Sequence, residues 1–460
     1  MLFGREKFMD KFKQMTETPV SRLVTRLAIP TMISMLVTTF YNMADTYFVS
    51  RLNNTSATGA VGVVFPLMSL IQAFGFLFGN GSGNCISRLL GAGEKEKAEK
   101  MASFAFYSGI AVGLLITVSG FVTLKPLAYI LGATKTIYPY ARDYLAIILL
   151  GAPFVCGAMV LNNQLRFQGN ASFAMIGVSS GAVLNCVLDP LLIETAGFGI
   201  AGAAAATTIS QIVSFVLLVI GIKYSKGVKP IIKNFTVEKE YVLGVINGGA
   251  PSLARQGIAS FSAVILNLIG GAFGDYAITA MTVCSKITMF LNSAMIGFGQ
   301  GFQPVCGFNY GAKRYDRVKK AFWFSTYVTF VFLLVMSVVG FVFAKPLVGF
   351  FTDDPKVLSF GVPAFRFMCI SFPVNSFTVM SNMAMQTVGH AVRATLIAIS
   401  RQGIAYIPTV FVLWNFFGET GFQISQMCAD FITFLIAIPL QMSLLKELNK
   451  NPLKEGDNGV

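Results

Sequence analysis

Two aspartates stand inside apolar segments of this chain, where a carboxylate costs roughly 3 kcal/mol if the segment lies in hydrocarbon. Asp45 sits in "YNMADTYFVSRLN" (41–53) and Asp189 in "NCVLDPLLI" (185–193). On a helix, Ser34, Thr38, Tyr41 and Asp45 follow i, i+4, i+7, i+11 and form one polar stripe, with Asn42 beside it. Asn185 and Asp189 are four apart and share a face, and Pro190 cannot donate to the carbonyl of Cys186, which leaves an acceptor nearby. Two carboxylates in a poorly hydrated site do not both ionise freely. Such a pair takes up a proton or holds a monovalent cation, with Asn185 and Thr207 as neutral oxygen ligands. Either event changes the local charge by one unit and can bias a helix, or a whole lobe, between two arrangements. A plainer role, hydrogen bonding between helices, is the competing reading. Depth favours the first. Asp45 lies about 9 Å before Arg51 at the helix rise, and Asp189, Thr207 and Tyr144 enter their own segments to a similar depth.

The elements that carry these residues are membrane spans. The 460-residue chain is 54% hydrophobic and 12% charged, against about 25% charge in a soluble domain. Its mean hydropathy is +0.67. Apolar runs, each long enough to cross about 30 Å of hydrocarbon, centre near residues 38, 70, 110, 150, 182, 210, 256, 290, 330, 370, 404 and 432. The expected fold is therefore an all-α integral membrane protein of twelve transmembrane helices. The first 26 residues are basic and amphipathic, and no cleavable signal peptide is expected. The net charge of +14 does not point to nucleic acid. With the N-terminus inside, most Lys and Arg fall in cytoplasmic segments: 1–26, the 88–100 loop, Arg166, 223–239, 313–320, Arg393 and the tail. A multi-pass plasma-membrane protein with both termini cytoplasmic is the expectation.

The chain is written twice. "GNGSGNCISRLLGAGEKEKAEK" (79–100) resembles "GQGFQPVCGFNYGAKRYDRVKK" (299–320). A near-constant offset pairs Lys125-Pro126-Leu127 with Lys345-Pro346-Leu347, Pro153 with Pro373, Asn162 with Asn382, Gly169 with Gly389, and Gly199 with Gly418. Each copy holds six spans, so both face the same way as parallel repeats about a central cavity. The organisation read from this is a cytoplasmic segment 1–26, an N-terminal lobe 27–222, a linker 223–240, a C-terminal lobe 241–446 and a tail 447–460. The second lobe differs in chemistry. Its embedded charges are Arg255, Lys286, Arg366 and Arg401, with Asp430 the clear acid and either Lys286 or Arg401 its partner. Polar and apolar cavity candidates are Ser34, Thr38, Tyr41, Asn42, Arg255, Lys286, Met295 and Asp430, with Met35 and Met43 as further adaptable apolar surface.

Other chemistries are excluded. "GNGSGN" (79–84) follows no strand and lacks a Walker lysine, so it reads as helix packing. His390 is the single histidine, no Ser/His/Asp set occurs, and the seven cysteines show no paired spacing. No ATP-binding domain appears in this sequence, so any transport is expected to run on an ion gradient. An enzyme is not expected, nor a cofactor, nor a metal beyond sodium at Asp45/Asp189.

Together, "YNMADTYFVSRLN", "GNGSGNCISRLLGAG", "LRFQGN" (165–170) and "NCVLDPLLI" resemble the multidrug and toxic compound extrusion (MATE) family, closest to its MepA-like bacterial branch. The resemblance implies a cation-coupled antiporter that exports amphipathic, often cationic organic compounds by alternating access, a monomer whose partners are its substrates and the bilayer. It implies a proton- or sodium-responsive network at Asp45, Tyr144, Asn162, Asn185, Asp189 and Thr207. The NorM-like branch uses carboxylates in the seventh and tenth spans, where this chain has Arg255 and Arg366. The alternative is a flippase or exporter of a lipid-linked or anionic metabolite, for which the second-lobe arginines are the best support.

Overall fold

The computed structural model of the chain describes residues 12–52, 54–225 and 227–450. The N-terminal basic stretch to residue 11 and the tail from 451 lie outside the described residues. Among the described residues there is no strand. The helices are α1 (Val20–Ser50), α2 (Thr55–Gly91), α3 (Lys95–Val122), α4 (Leu124–Ile130), α5 (Tyr138–Phe167), α6 (Ala171–Pro190), α7 (Gly199–Tyr224), α8 (Lys239–Phe273), α9 (Asp275–Gly311), α10 (Tyr315–Val342), α11 (Ala344–Gly349), α12 (Pro355–Val388), α13 (Ala391–Ile399) and α14 (Tyr406–Lys450). Asn54 accepts from the amides of Ser56 and Ala57 to start α2, and Asp354 caps α12 through the amide of Lys356.

Eleven described stretches are long and apolar enough to cross a membrane. The last, Ala391–Lys450, is 60 residues, or about 90 Å of helix, three times the hydrocarbon thickness. It is divided at Gly418, where φ is 55° and ψ −128°. Ala391–Lys450 therefore supplies the two spans expected near residues 404 and 432. Pro190 ends α6 and is followed by one wide turn, Leu191–Thr195, in keeping with the amide hydrogen that proline lacks.

The duplication is visible in the backbone. Left-handed φ recurs at Gly169 and Gly389, and at Gly199 and Gly418. Gly93 and Lys313 form another such pair, so the second copy holds a lysine where the first has glycine. The short helices α4 and α11, each with its Lys-Pro, follow α3 and α10 at equivalent places.

The lobes meet along α1, α2, α8 and α9. Among the described residues, every hydrogen bond joining them lies between one end of the bundle and the level of Thr39. Thr39 meets Ser293 at 2.6 Å, Thr31 donates to the carbonyl of Gly297 at 2.6 Å, and Asn80 donates to Ser252 at 2.9 Å. Farther toward that end, Arg88 donates to the carbonyl of Thr387, Asn309 to that of Met15 and Arg317 to that of Thr18. Glycines let the backbones touch there. A Cβ on Gly248 would stand 2.7 Å from the carbonyl oxygen of Gly81, and one on Gly301 would meet Ala28. "GNGSGN" is indeed helix-packing surface, since residues 79–84 lie in α2 against α8. This joined end closes the floor of a cavity between the lobes.

Candidate functional site

Four helices of the first lobe converge on the acidic pair. Asp45 on α1 and Asp189 on α6 lie within electrostatic reach of each other and of the hydroxyls of Tyr41 and Tyr144. Asp189 is fully buried, and Tyr144 on α5 is 1% exposed. With its amide turned so that both ends are satisfied, Asn185 donates to Asp189 Oδ2 at 3.1 Å and accepts from the backbone amide of Thr207 on α7 at 3.3 Å. Asp45 Oδ1 is buried and meets no donor among the described residues. An ionised oxygen in that state is costly to leave unpaired. Gln211, which the sequence did not single out, reaches the Tyr41 hydroxyl from α7. The structure thus brings together the four residues of matched depth, Asp45, Tyr144, Asp189 and Thr207, and joins Asn185 to them. Asn162 stands apart. It lines the cavity about 27 Å along α5 from Tyr144.

The cavity has a volume of about 700 Å³, within the range of small-molecule sites. Of the predicted stripe on α1, Ser34, Thr38 and Tyr41 line the wall and Asp45 does not; Asn42 and Met35 line it as well. On α9 the lining residues are Met281, Ser285, Thr288, Met289, Asn292, Ser293, Ile296, Gln300 and Gln303, a continuous three- and four-residue spacing. Lys286 and Met295 fall off that stripe, and this corrects the sequence reading of both. Lys286 is one residue, about 100°, past Ser285 and is exposed elsewhere; Met295 is one residue short of Ile296 and is 1% exposed in the core. Met43 does not line the cavity either, and Arg366 points outward, donating to the carbonyl of Phe341 at 3.2 Å over that residue's ring.

Asp430 takes Arg401, not Lys286. Arg401 Nε donates to Oδ1 at 2.9 Å and Gln426 to the same oxygen at 3.1 Å, while Ser371 and Asn375 donate to Oδ2 at 2.7 and 3.0 Å. The carboxylate is 2% exposed, and its four donors come from α12, α14 and the wide turn Ser400–Ile404. Arg255 on α8 lines the cavity near Arg401 and has no hydrogen-bond or ion-pair partner among the described residues. Arg166 is the residue the sequence misplaced. Its place at the end of an apolar run puts it in a cytoplasmic segment by sequence. It is instead 2% exposed at the cavity floor, donating to Asn163 and Asn80 side-chain oxygens. The charged lining is thus Arg166, Arg255, Arg401 and Asp430, with the first-lobe aspartates set behind the wall. Among the described residues no group of three or more His, Cys, Asp or Glu is arranged to hold a metal.

A family model described as MatE matches residues 30–191 and 251–412, one match in each lobe. The chain is similar to the multidrug export protein MepA of Staphylococcus aureus (strain MRSA252), 29% identical over 425 residues, covering 92% of this chain and 93% of that one. The corresponding protein of Staphylococcus haemolyticus (strain JCSC1435) is 28% identical over 436 residues, covering 94% and 95%. Among solved structures, the outward-facing conformation of a multidrug resistance MATE family transporter of the MOP superfamily superposes with a TM-score of 0.90 at 25% identity, covering 95% of this chain and 98% of that one. A MOP superfamily transporter from Pyrococcus furiosus, described as having a binding pocket of reverse polarity that suggests a different function, gives 0.89 at 25% identity, over 95% and 98%.

Proposed function

Because this chain belongs to the MATE family of multidrug efflux transporters, and is a transporter and not an enzyme, we propose that it is a cation-coupled antiporter. A proton or sodium ion entering at Asp45 and Asp189 drives release of amphipathic organic compounds from the central cavity. The observation that carries this reading is Asp45 Oδ1, buried within electrostatic reach of a second carboxylate and with no donor among the described residues. A proton or monovalent cation completes that site, with Asn185, Thr207, Tyr144 and Tyr41 as neutral oxygen or amide neighbours. Charge asymmetry supports a cytoplasmic joined end, since residues 88–100 and 313–320 lie there beside Thr16 and Thr18. The cavity then opens outward in this arrangement, and turnover alternates it with one opened at the cytoplasmic end. Asn162, on the cavity wall, belongs to the substrate path in this scheme. The protein acts as a monomer in the bacterial plasma membrane.

Dye efflux from vesicles, with pH and sodium gradients imposed separately, tests the coupling. One gradient should drive efflux, and Asp45→Asn should abolish it while the protein remains folded and inserted. Full efflux by that variant would remove Asp45 from the mechanism. The three arginines against one carboxylate in the lining favour a second reading, export of a lipid-linked or anionic metabolite. Competition between cationic dyes and anionic amphiphiles separates the two.

A further inference from the structure

We propose that Arg255, supported by Arg166, is a docking point for an oxyanion, so that the compounds this carrier takes are amphiphiles bearing a carboxylate or phosphate as well as an apolar body. The inference deepens the transport reading and rests on it only for the movement of the ligand. Three guanidinium groups and one carboxylate face the cavity. The carboxylate of Asp430 is consumed: both oxygens accept twice, one of the four bonds coming from Arg401. Arg401 is therefore neutralised locally, and Arg255 beside it has no acceptor at all among the described residues.

Arg166 adds a second uncompensated cation at the same end of the cavity. Its partners, the side-chain oxygens of Asn80 and Asn163, carry no charge, and its Nε is buried without an acceptor among the described residues. The two arginines are neighbours through a short chain of contacts. Arg166 bonds Asn80, Asn80 bonds Ser252, and Arg255 is three residues beyond Ser252, about 4.5 Å along α8 on the same face. They come from opposite lobes. A planar, donor-rich fork without an acid opposite it matches a carboxylate or phosphate, and an ammonium ligand is repelled from that end. Met159, Val155 and Phe76 supply the apolar wall for the rest of such a molecule.

The test uses the full chain in lipid nanodiscs and a matched pair of fluorescent probes, rhodamine 110 and its methyl ester rhodamine 123, which share the xanthene cation and differ at the carboxyl. Fluorescence polarisation should show the free acid bound about tenfold or more tightly than the ester, the scale of one charge-assisted bidentate contact. Arg255→Gln should bring that ratio towards one, and Arg255→Lys should keep part of it, with thermal unfolding checking that both variants are folded. Equal affinities in the native protein, or a ratio that survives Arg255→Gln, overturn the proposal. Phosphatidylcholine discs compared with discs containing phosphatidylglycerol tell the source of the oxyanion. A ratio kept in both assigns the site to a soluble substrate; a ratio erased only by the anionic lipid assigns it to a lipid headgroup; either supports the site. Failure of the two readings is distinguishable. Gradient-driven efflux with no acid preference sinks the oxyanion site alone, and an Arg255-dependent preference without efflux under either gradient supports the site and sinks the transport reading.

Discussion

Removing the charge of Asp430 should unfasten the second lobe, and the size of the effect follows from its geometry. The carboxylate is 2% exposed and holds α12, the turn Ser400–Ile404 and α14 through four donors. At 2.9 Å from Arg401 the bare attraction is about 6 kcal/mol at an effective dielectric of 20, much of it offset by desolvation. Asp430→Asn places an amide nitrogen where a donor, Arg401 or Ser371, already points, and leaves Arg401 uncompensated next to Arg255. The expected loss is about 3–5 kcal/mol, the cost of breaking a buried pair from one side. Arg401→Met leaves Asp430 with three neutral donors and should cost less. The double variant Arg401→Met/Asp430→Asn should be more stable than the sum of the singles, by about 1–3 kcal/mol. The cysteines supply the assay. None is in a disulfide, and Cys284 and Cys369 are buried in this lobe. A fluorogenic maleimide added during a temperature ramp therefore reports when the lobe opens. A native-like transition for Asp430→Asn, or a double variant as damaged as the two singles combined, would refute the view of Asp430 as a clasp.

Three further outcomes follow from positions already described. Gly248→Val should weaken the joined end, because its Cβ would meet the Gly81 carbonyl at 2.7 Å; overpacking of this kind costs about 1–3 kcal/mol. Cys85, which reaches the carbonyl of Gly244 across the seam at 3.4 Å, is the reporter: in a background where it is the sole cysteine, its maleimide labelling should rise about tenfold or more. Asn292→Ala should lower dye affinity, whereas Lys286→Gln and Met295→Leu should leave it unchanged, and equilibrium binding of a cationic dye checks all three. Asp189→Asn should lose gradient-driven efflux as Asp45→Asn does while keeping dye binding, because both aspartates stand behind the cavity lining; dye binding lost together with efflux would place Asp189 in the substrate site.

Period and repeat carried most of what could be read without coordinates. Of the i, i+4, i+7, i+11 stripe on α1, Ser34, Thr38 and Tyr41 face the cavity because a helix converts spacing into direction with little freedom, whereas Asp45 lies behind the lining. The failures have the same origin. Lys286 and Met295 miss the α9 stripe by a single residue, and composition alone does not say which 100° sector of a helix faces inward. The partner of Asp430 depended on where the wide turn Ser400–Ile404 carries Arg401, which is tertiary geometry. Arg166 was legible as a charge near a span end, yet whether the helix stops before or after it was not; α5 runs on to Phe167 and takes the guanidinium inside. The duplicated left-handed positions explain why the offset was so readable. Gly169, Gly199 and their second-copy partners occupy backbone conformations that strongly favour glycine, so the repeat is written most clearly in its turns.

The seam at the joined end is built from main-chain carbonyls and short polar side chains, with one carbonyl, that of Gly248, serving both Asn84 and Gln386. Parting the lobes leaves the Gly248 carbonyl with Gln386 alone and strips the Thr387, Met15 and Thr18 carbonyls of Arg88, Asn309 and Arg317, donors that only solvent can replace. Hydration is thus a reactant in the opening step, entering the rate much as a ligand would. Opening of the joined end should run slower wherever water activity is lowered.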